Sequence, residues 1–336
     1  MAAPVTKGDE LELDVESLAF PRGNGVARHG GFVVFVQSAL PGDRVRATVT
    51  KVKRSHAEAL ATEILSSGEA RVEPACSHFS ECGGCRFQDL AYDAQLAQKE
   101  AQVRDSLVRL AGIAEPRLEA IVPCEPEIFH YRNKLEYSFT QTPDGPALGF
   151  HRAGRWDEVL EVEKCWLVDD VANAIRDAVR DWAREEGLAA YSQEDGTGYL
   201  RHLAVRQGRN TQQALVQLVT APGEKFEPGY FVDVLRKIRE VRSIHWSIND
   251  TPAEVTNLPS RLLWGDEWIE EEIGGLRFRV RPNAFLQTNT AMAERLYGLA
   301  RDAAGLTGTE TVWDLYCGIG TIGLSLAADA LTVWGI

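Results

Sequence analysis

The spacing of apolar and polar positions changes several times along the chain, and each change marks a boundary. Near the N-terminus Leu11, Leu13 and Val15 alternate with acids, the period of a half-buried strand. Gly23, Gly25, Gly30 and Gly31 mark turns, residues 32–36 form a short apolar strand, and Pro41-Gly42-Asp43 is a strong turn signal. Val45, Ala47 and Val49 alternate with Arg46 and Thr48, and a last strand ends near Ile64. About five short strands within residues 5–66 predict a small closed barrel, which removes exposed edges and commonly offers one face to nucleic acid.

Residues 72–88 are dense in Cys and Gly and follow neither period, so only a crosslink or a metal orders them. A helix is expected from about Leu90 to Leu110, with Leu96, Val103, Leu107 and Leu110 on one face and Gly112 ending it. The pattern over 121–274 is mixed, with strands at 135–139, 199–206 and 214–220 and helices at 171–183 and 231–238. A strand at 276–280 and a helix at 291–303 follow. A buried strand at 311–316 then runs into Cys317-Gly318-Ile319-Gly320-Thr321-Ile322-Gly323, a helix begins at 322, and a second strand begins at 331. The chain stops at Ile336, inside a βαβ unit, and two strands leave the apolar faces of a parallel sheet open. The expectation is a multidomain α/β protein that continues past Ile336. It has an N-terminal small β-barrel, a central α+β domain and the start of a C-terminal Rossmann-like domain.

A length of 336 residues suits two or three domains, and 44% hydrophobic residues suffice for real cores. No uncharged apolar run reaches a membrane span, and the N-terminus lacks a signal-peptide pattern, so a cytoplasmic protein is expected. A net charge of −13 argues against a nucleic-acid partner, but its distribution changes the picture. Between Arg22 and Arg54 stand seven basic residues, Arg44, Arg46, Lys51 and Lys53 among them, against the single acid Asp43, a local charge of +6. Acids gather elsewhere, as at Asp266, Glu267, Glu270, Glu271 and Glu272. An RNA contact in the N-terminal module is expected.

The six cysteines are Cys76, Cys82, Cys85, Cys124, Cys165 and Cys317. Cys76, Cys82 and Cys85 lie within ten residues, and Gly83 and Gly84 let the backbone turn so that sulfurs converge. Zinc and an iron–sulfur cluster both take four thiolates, and spacing does not separate them. Nor does it match the tight three-cysteine loop of radical S-adenosylmethionine enzymes. Cys124 and Cys165 are equal candidates for a fourth ligand. At the glycine loop, Asp314 at the strand's end tilts the site towards S-adenosylmethionine, with a second, ribose-binding acid expected just past Ile336. Nicotinamide and flavin enzymes share a GxG turn.

At these residues the chain resembles the RNA uracil-C5 methyltransferases that carry a TRAM domain and a 4Fe-4S cluster, whose best-known members make 5-methyluridine in 23S ribosomal RNA. The marks run in order over essentially the whole chain. They are the module at 5–66, the three cysteines, Tyr131-Arg132-Asn133-Lys134-Leu135-Glu136, Leu148-Gly149-Phe150-His151, and Val162-Glu163-Lys164-Cys165. Tyr199-Leu200-Arg201-His202-Leu203, Phe285-Leu286-Gln287-Thr288-Asn289 and the loop from Asp314 to Gly320 follow.

The resemblance implies that Cys76, Cys82, Cys85 and Cys165 hold one 4Fe-4S cluster, structural rather than redox-active. It implies that Gln287, Asp314, Tyr316, Gly318, Gly320 and Thr321 serve S-adenosylmethionine, with Gln287 also supporting catalysis. Arg132 and Lys134 join Arg44, Arg46, Lys51 and Lys53 as expected RNA contacts. The implied domains are 5–66; 70–89 with 113–274; and 90–112 with 275–336, so that the helix at 90–110 packs on the methyltransferase domain. In the family a cysteine thiolate adds to uracil C6, C5 takes the methyl, and a base removes the C5 proton. The target base is flipped out to be reached. That cysteine and base match no residue of this chain, which is therefore expected to be inactive. No membrane, no obligate protein partner and a monomer are expected. A transfer-RNA T-loop substrate is the alternative, although the barrel and cluster modules favour ribosomal RNA. A non-enzymatic iron–sulfur RNA-binding protein and a nicotinamide enzyme are the other classes.

Overall fold

The alternation along the N-terminal strands closes a barrel. β1 (Glu10–Ala19), β2 (Asn24–His29), β3 (Phe32–Gln37), β4 (Arg44–Val52) and β5 (His56–Ser66) pair in the closed order β1-β2-β3-β5-β4. Leu11, Leu13, Val15, Val34, Val36, Val45, Ala47 and Val49 fill its core, and the charged residues between them stay outside. The computed structural model describes all residues except 1–2, 20–22, 125–126 and 224. Arg22, the first cation of the expected basic stretch, lies outside the described residues. The chain forms two compact units, Met1–Pro123 and Cys124–Ile336.

In the first unit Asp43 closes the turn after β3. Its buried carboxylate accepts from the Leu40 N–H at 2.7 Å, the Gly68 N–H at 2.9 Å and Arg71 Nη2 at 2.7 Å. Burial opposes its ionisation, but the bonds from Arg71, Gly68 and Leu40 outweigh it and hold the carboxyl below its ordinary range. Arg71 Nη1 reaches Asp89 at 2.6 Å, so one guanidinium ties the barrel turn to both ends of the cysteine-rich segment. Helix α1 (Tyr92–Arg109) follows, and Gly112 beyond it has φ +71°. None of its residues is fully buried; Gln98 Oε1 accepts from the Leu18 N–H at 3.1 Å.

The second unit is built on a seven-stranded sheet in the order β12-β11-β10-β9-β6-β7-β8. Its strands are β6 (Lys134–Thr142), β7 (Gly145–Arg152), β8 (Arg155–Glu161), β9 (Leu200–Gly208), β10 (Gln213–Thr220), β11 (Val241–Ile248) and β12 (Arg261–Gly265). Only the β10–β11 pair is parallel. Helices α2 (Asp170–Glu185) and α3 (Pro228–Leu235) cover one face, where Tyr137, Trp182, Leu203, Phe231 and Trp246 pack. The register places Glu136, Ser138, His202, Arg206, Gln217 and His245 on the other face. Residues 249–260 bind that face: Gln217 Nε2 donates to the Thr256 carbonyl at 3.1 Å, and Ser260 Oγ meets His245 Nδ1 at 3.2 Å. The sequence pattern does not predict β7, β8, β11 or β12, nor β13 below.

After the sheet come the hairpin β13 (Ile269–Ile273) and β14 (Leu276–Val280), then α4 (Thr290–Ala304), β15 (Thr311–Asp314), α5 (Thr321–Leu326) and β16 (Thr332–Gly335). β15 and β16 are parallel, the expected βαβ unit. Asn289 caps α4 by accepting from the Met292 N–H at 3.0 Å, and Gly305 ends it in the left-handed region. Among the described residues no helix is long and apolar enough to cross a membrane.

Candidate active site

The glycine loop is open to solvent where a ligand is expected. Tyr316 (φ +67°), Gly318 (φ +57°) and Gly320 (φ +82°) are left-handed, so the chain leaves β15 in a tight turn before α5. Tyr316 is 98% exposed, and a Cβ at Gly318 would meet nothing within 4 Å. The backbone is thus accessible for close approach. Asp314 Oδ2 accepts from the Gly323 N–H at 2.8 Å, which gives this acid a role in shaping the loop. A Cβ at Gly323 would lie 2.7 Å from that oxygen, so a larger residue there would push the Asp314 carboxylate aside. Thr321 Oγ1 accepts from the Tyr297 hydroxyl at 3.0 Å, which anchors the start of α5 on α4. The loop's Ile319 packs against the apolar cluster that includes Leu286, so the glycine loop and the Phe285-Leu286-Gln287 segment border one core. Phe285, which its sequence context gives no role, is 73% exposed beside Gln287. The half-buried Gln287 side chain forms no hydrogen bond among the described residues, which leaves its donors and acceptor available.

The cysteine loop lies in the first unit and Cys165 in the second. Among the described residues no group of three or more Cys, His, Asp or Glu is arranged to hold a metal ion. The donor chemistry of the loop nevertheless suits a thiolate-bound group. Gln88 Nε2 donates to Cys85 Sγ at 3.2 Å, the Gly84 N–H points at Cys82 Sγ at 3.4 Å, and Gln88 Oε1 accepts from the Cys76 N–H at 3.2 Å. Burial, reinforced by repulsion from Cys85 and Cys76, pushes the Cys82 thiol up without a metal; a bound cation reverses that. The Cys165 backbone is held on both sides by Asn173, which accepts from its N–H at 2.9 Å and donates to its carbonyl at 3.2 Å. Cys124 accepts from Asn289 Nδ2 at 3.2 Å.

The basic stretch is less positive in space than in sequence. Arg44 pairs with Glu12 at 3.1 Å, Arg46 pairs with Glu12 and Glu63, and Lys53 pairs with Glu58 at 3.4 Å. The acids come from β1 and β5, the strands flanking β4. Lys51 has no ion-pair partner among the described residues. Lys134 is paired with Glu136 at 2.5 Å, and Arg132 bridges through its backbone to Asn289.

Two histidines lie buried on the polar face of the sheet. Burial holds His202 at a pKa of about 4, reinforced by Arg201, and holds His245 at about 4, reinforced by Arg281. Both are neutral when folded, whereas unfolded imidazoles take up protons below about 6.5. Their contribution is therefore intact above pH 6.5 and is lost as the pH falls towards 4, on the order of 3 kcal/mol for each. Thermal melts are expected to drop steeply between pH 6.5 and 4. A His202→Gln, His245→Gln double variant is expected to flatten that slope, and an unchanged slope would remove these residues as its cause.

A TRAM domain matches residues 4–62, the stretch that forms the barrel. An uncharacterized RNA methyltransferase of Halalkalibacterium halodurans is 35% identical over 336 residues, covering 99% of this chain and 73% of its own length. One from Bacteroides thetaiotaomicron is 37% identical over 333 residues, covering 94% and 73%. The chain belongs to this family of RNA methyltransferases. The methyltransferase is also similar to a solved structure, the Pyrococcus abyssi tRNA (uracil-54, C5)-methyltransferase in complex with S-adenosyl-L-homocysteine. The TM-score is 0.72 and the identity 27%, covering 94% of this chain and 70% of that one. Membership sets aside the nicotinamide reading. The expected inactivity of the chain finds no support in these relatives.

Proposed function

We propose that the methyltransferase transfers a methyl group from S-adenosylmethionine to uridine C5 in 23S ribosomal RNA. Likeness to a uracil-C5 methyltransferase bound to S-adenosyl-L-homocysteine carries the uridine-C5 and S-adenosylmethionine parts of this reading; the ribosomal substrate rests on the resemblance of the barrel and cysteine modules. The left-handed turn from Tyr316 to Gly320 supports the cofactor part, since its two glycines suit a ligand that needs close backbone approach. S-adenosylmethionine supplies an electrophilic methyl; uracil C5 gains it and loses one proton.

This chain's own residues bind and orient. Gly318 and Gly320 give the cofactor room, Tyr316 offers an aromatic face, and Asp314 and Thr321 keep the loop in place. The Gln287 amide donates and accepts towards cofactor and base, with the exposed ring of Phe285 beside it. The covalent adduct at uracil C6 belongs to the proposed chemistry, but we assign its nucleophile to none of the six cysteines. Cys76, Cys82, Cys85 and Cys165 are the proposed 4Fe-4S ligands. Four thiolates close the cluster's coordination, and methyl transfer needs no electron, so its work is to order the loop. The domain scheme of 5–66, of 70–89 with 113–274, and of 90–112 with 275–336 belongs to the same proposal, as does action as a monomer.

RNA binding is assigned to the barrel face of Arg44, Arg46, Lys51 and Lys53, together with Arg132 and Lys134. Glu12, Glu58 and Glu63 temper that face, so Lys51 contributes most. Neutralising all four barrel cations is expected to weaken RNA binding at moderate salt and reduce its salt slope. Unchanged affinity and slope would move the contact elsewhere. A T-loop uridine of transfer RNA is the second reading, favoured by the transfer-RNA substrate in the neighbour's name. Methylation of unmodified 23S ribosomal RNA and of unmodified transfer RNA, followed by nucleoside analysis, separates them. Ribosomal RNA is expected to give 5-methyluridine; product in transfer RNA alone would reverse the order.

A further inference from the structure

Residues 282–289 have no regular structure, yet buried side chains hold them along most of their length. Arg206 on β9 is 3% exposed and donates through Nη2 to the carbonyls of Pro282 at 3.2 Å and Ala284 at 2.7 Å. Asn133 is 1% exposed; its N–H donates to the Thr288 carbonyl at 2.8 Å. Its Nδ2 donates to the Gln287 carbonyl at 2.8 Å and to Thr290 Oγ1 at 3.0 Å. Thr290 in turn donates to Glu271 Oε2 at 2.7 Å. That fully buried carboxylate also accepts from the N–H groups of Arg209 at 2.9 Å, Asn210 at 3.0 Å and Glu272 at 3.0 Å. Between the two clamps, Phe285 is left exposed and the Gln287 amide unbonded.

Such groups are costly to bury. Arg206 makes no ion pair among the described residues, and burial lowers its pKa to about 10. Stability alone does not account for an unpaired buried guanidinium, because an apolar side chain would fill the same space at less cost. Its bonds go to main-chain oxygens of one irregular segment, as do two of the three that Asn133 donates; the third goes to Thr290 Oγ1 at the segment's end. A buried hydrogen-bond network of this kind fixes a single conformation.

We propose that Asn133 and Arg206 are positioning residues for methyl transfer, fixing the backbone of residues 282–289 from the central sheet and so aiming the Gln287 amide. The inference rests on the reading that Gln287 belongs to the reacting pocket. It assigns to the Asn133 of the Tyr131-Arg132-Asn133-Lys134 run a task that its sequence leaves blank.

Thr290→Val keeps shape but removes the hydroxyl between Asn133 and Glu271, Thr290→Ser keeps the hydroxyl, and Arg206→Met keeps apolar bulk. In the native enzyme, Thr290→Val and Arg206→Met are expected to lower kcat at least about tenfold, since misplacing a reacting group by an ångström costs up to about a hundredfold. KM for RNA is expected to stay near wild type; Thr290→Val is expected to fold with a lowered melting temperature, since Asn133 Nδ2 and Glu271 Oε2 each lose a buried partner. Hydrogen exchange is expected to rise within 282–289, and Thr290→Ser to restore the rate. If Arg206→Met does not fold, Thr290→Val decides alone. Wild-type kcat in folded Thr290→Val, with Gln287→Ala impaired, overturns the inference and leaves the pocket assignment standing. Wild-type kcat in Gln287→Ala overturns the pocket assignment and the inference with it.

Discussion

Replacing Gln287 by alanine is expected to lower turnover of the native enzyme on the order of a hundredfold, the usual cost of removing one aligned donor from a reacting centre. The Gln287 carbonyl is held by Asn133, whereas its half-buried side-chain amide makes no hydrogen bond among the described residues. Alanine removes those atoms without touching the Asn133 bond, which goes to the main-chain carbonyl. The fold, the melting temperature and any bound iron are therefore expected to remain as in wild type. Gln287→Glu keeps the shape but replaces the donor with an acceptor, and is expected to be as impaired as alanine. Wild-type rates in both variants would take Gln287 out of the site.

Replacing Cys85 by serine is expected to abolish iron binding altogether. Native protein prepared without oxygen is expected to hold about four irons per chain if the cluster is of the proposed type. The segment carrying Cys76, Cys82 and Cys85 has little regular structure, so metal binding and local folding are coupled there. Cys85 Sγ already accepts from Gln88, whose side-chain carbonyl also holds the Cys76 N–H, so losing this ligand disturbs two at once. Proteolysis or hydrogen exchange within 70–88 is expected to accelerate, while the barrel keeps its own core. One tightly bound zinc per native chain, with no iron, would replace the cluster with a zinc site.

Some of this architecture is plain in the sequence and some is not, for physical reasons. The barrel is legible because each strand has one wet face and one dry face, as in Leu11, Leu13 and Val15 against Glu10, Glu12 and Asp14. The βαβ unit is legible because its glycines mark a turn no other residues make as easily. β7 is hidden because Pro146 and Gly149 read as breakers. Gly149 is there because a Cβ would stand 1.7 Å from the Leu160 carbonyl oxygen of the next strand. β11 is hidden because Ser243, His245 and Ser247 look like a wet face, whereas all three are buried and bonded, to the Asp266 carbonyl, Ser260 and Gln217 respectively. The barrel reads as more basic than it is for the converse reason. Arg46 stands among cations in sequence, but its neighbours in space are Glu12 and Glu63. In the site itself, the glycine loop and Gln287 stand in recognisable runs. Arg206 and the task of Asn133 do not, because Asn133 meets Gln287 across 154 residues of chain.

The central claim is that the hydrogen at uridine C5 is the one replaced. RNA containing uridine tritiated at C5, supplied with S-adenosylmethionine and the native enzyme, tests it directly. The account predicts one tritium released to water for every methyl group transferred, and 5-methyluridine as the methylated nucleoside. Methyl transfer without tritium release, with the label in another nucleoside, would contradict it.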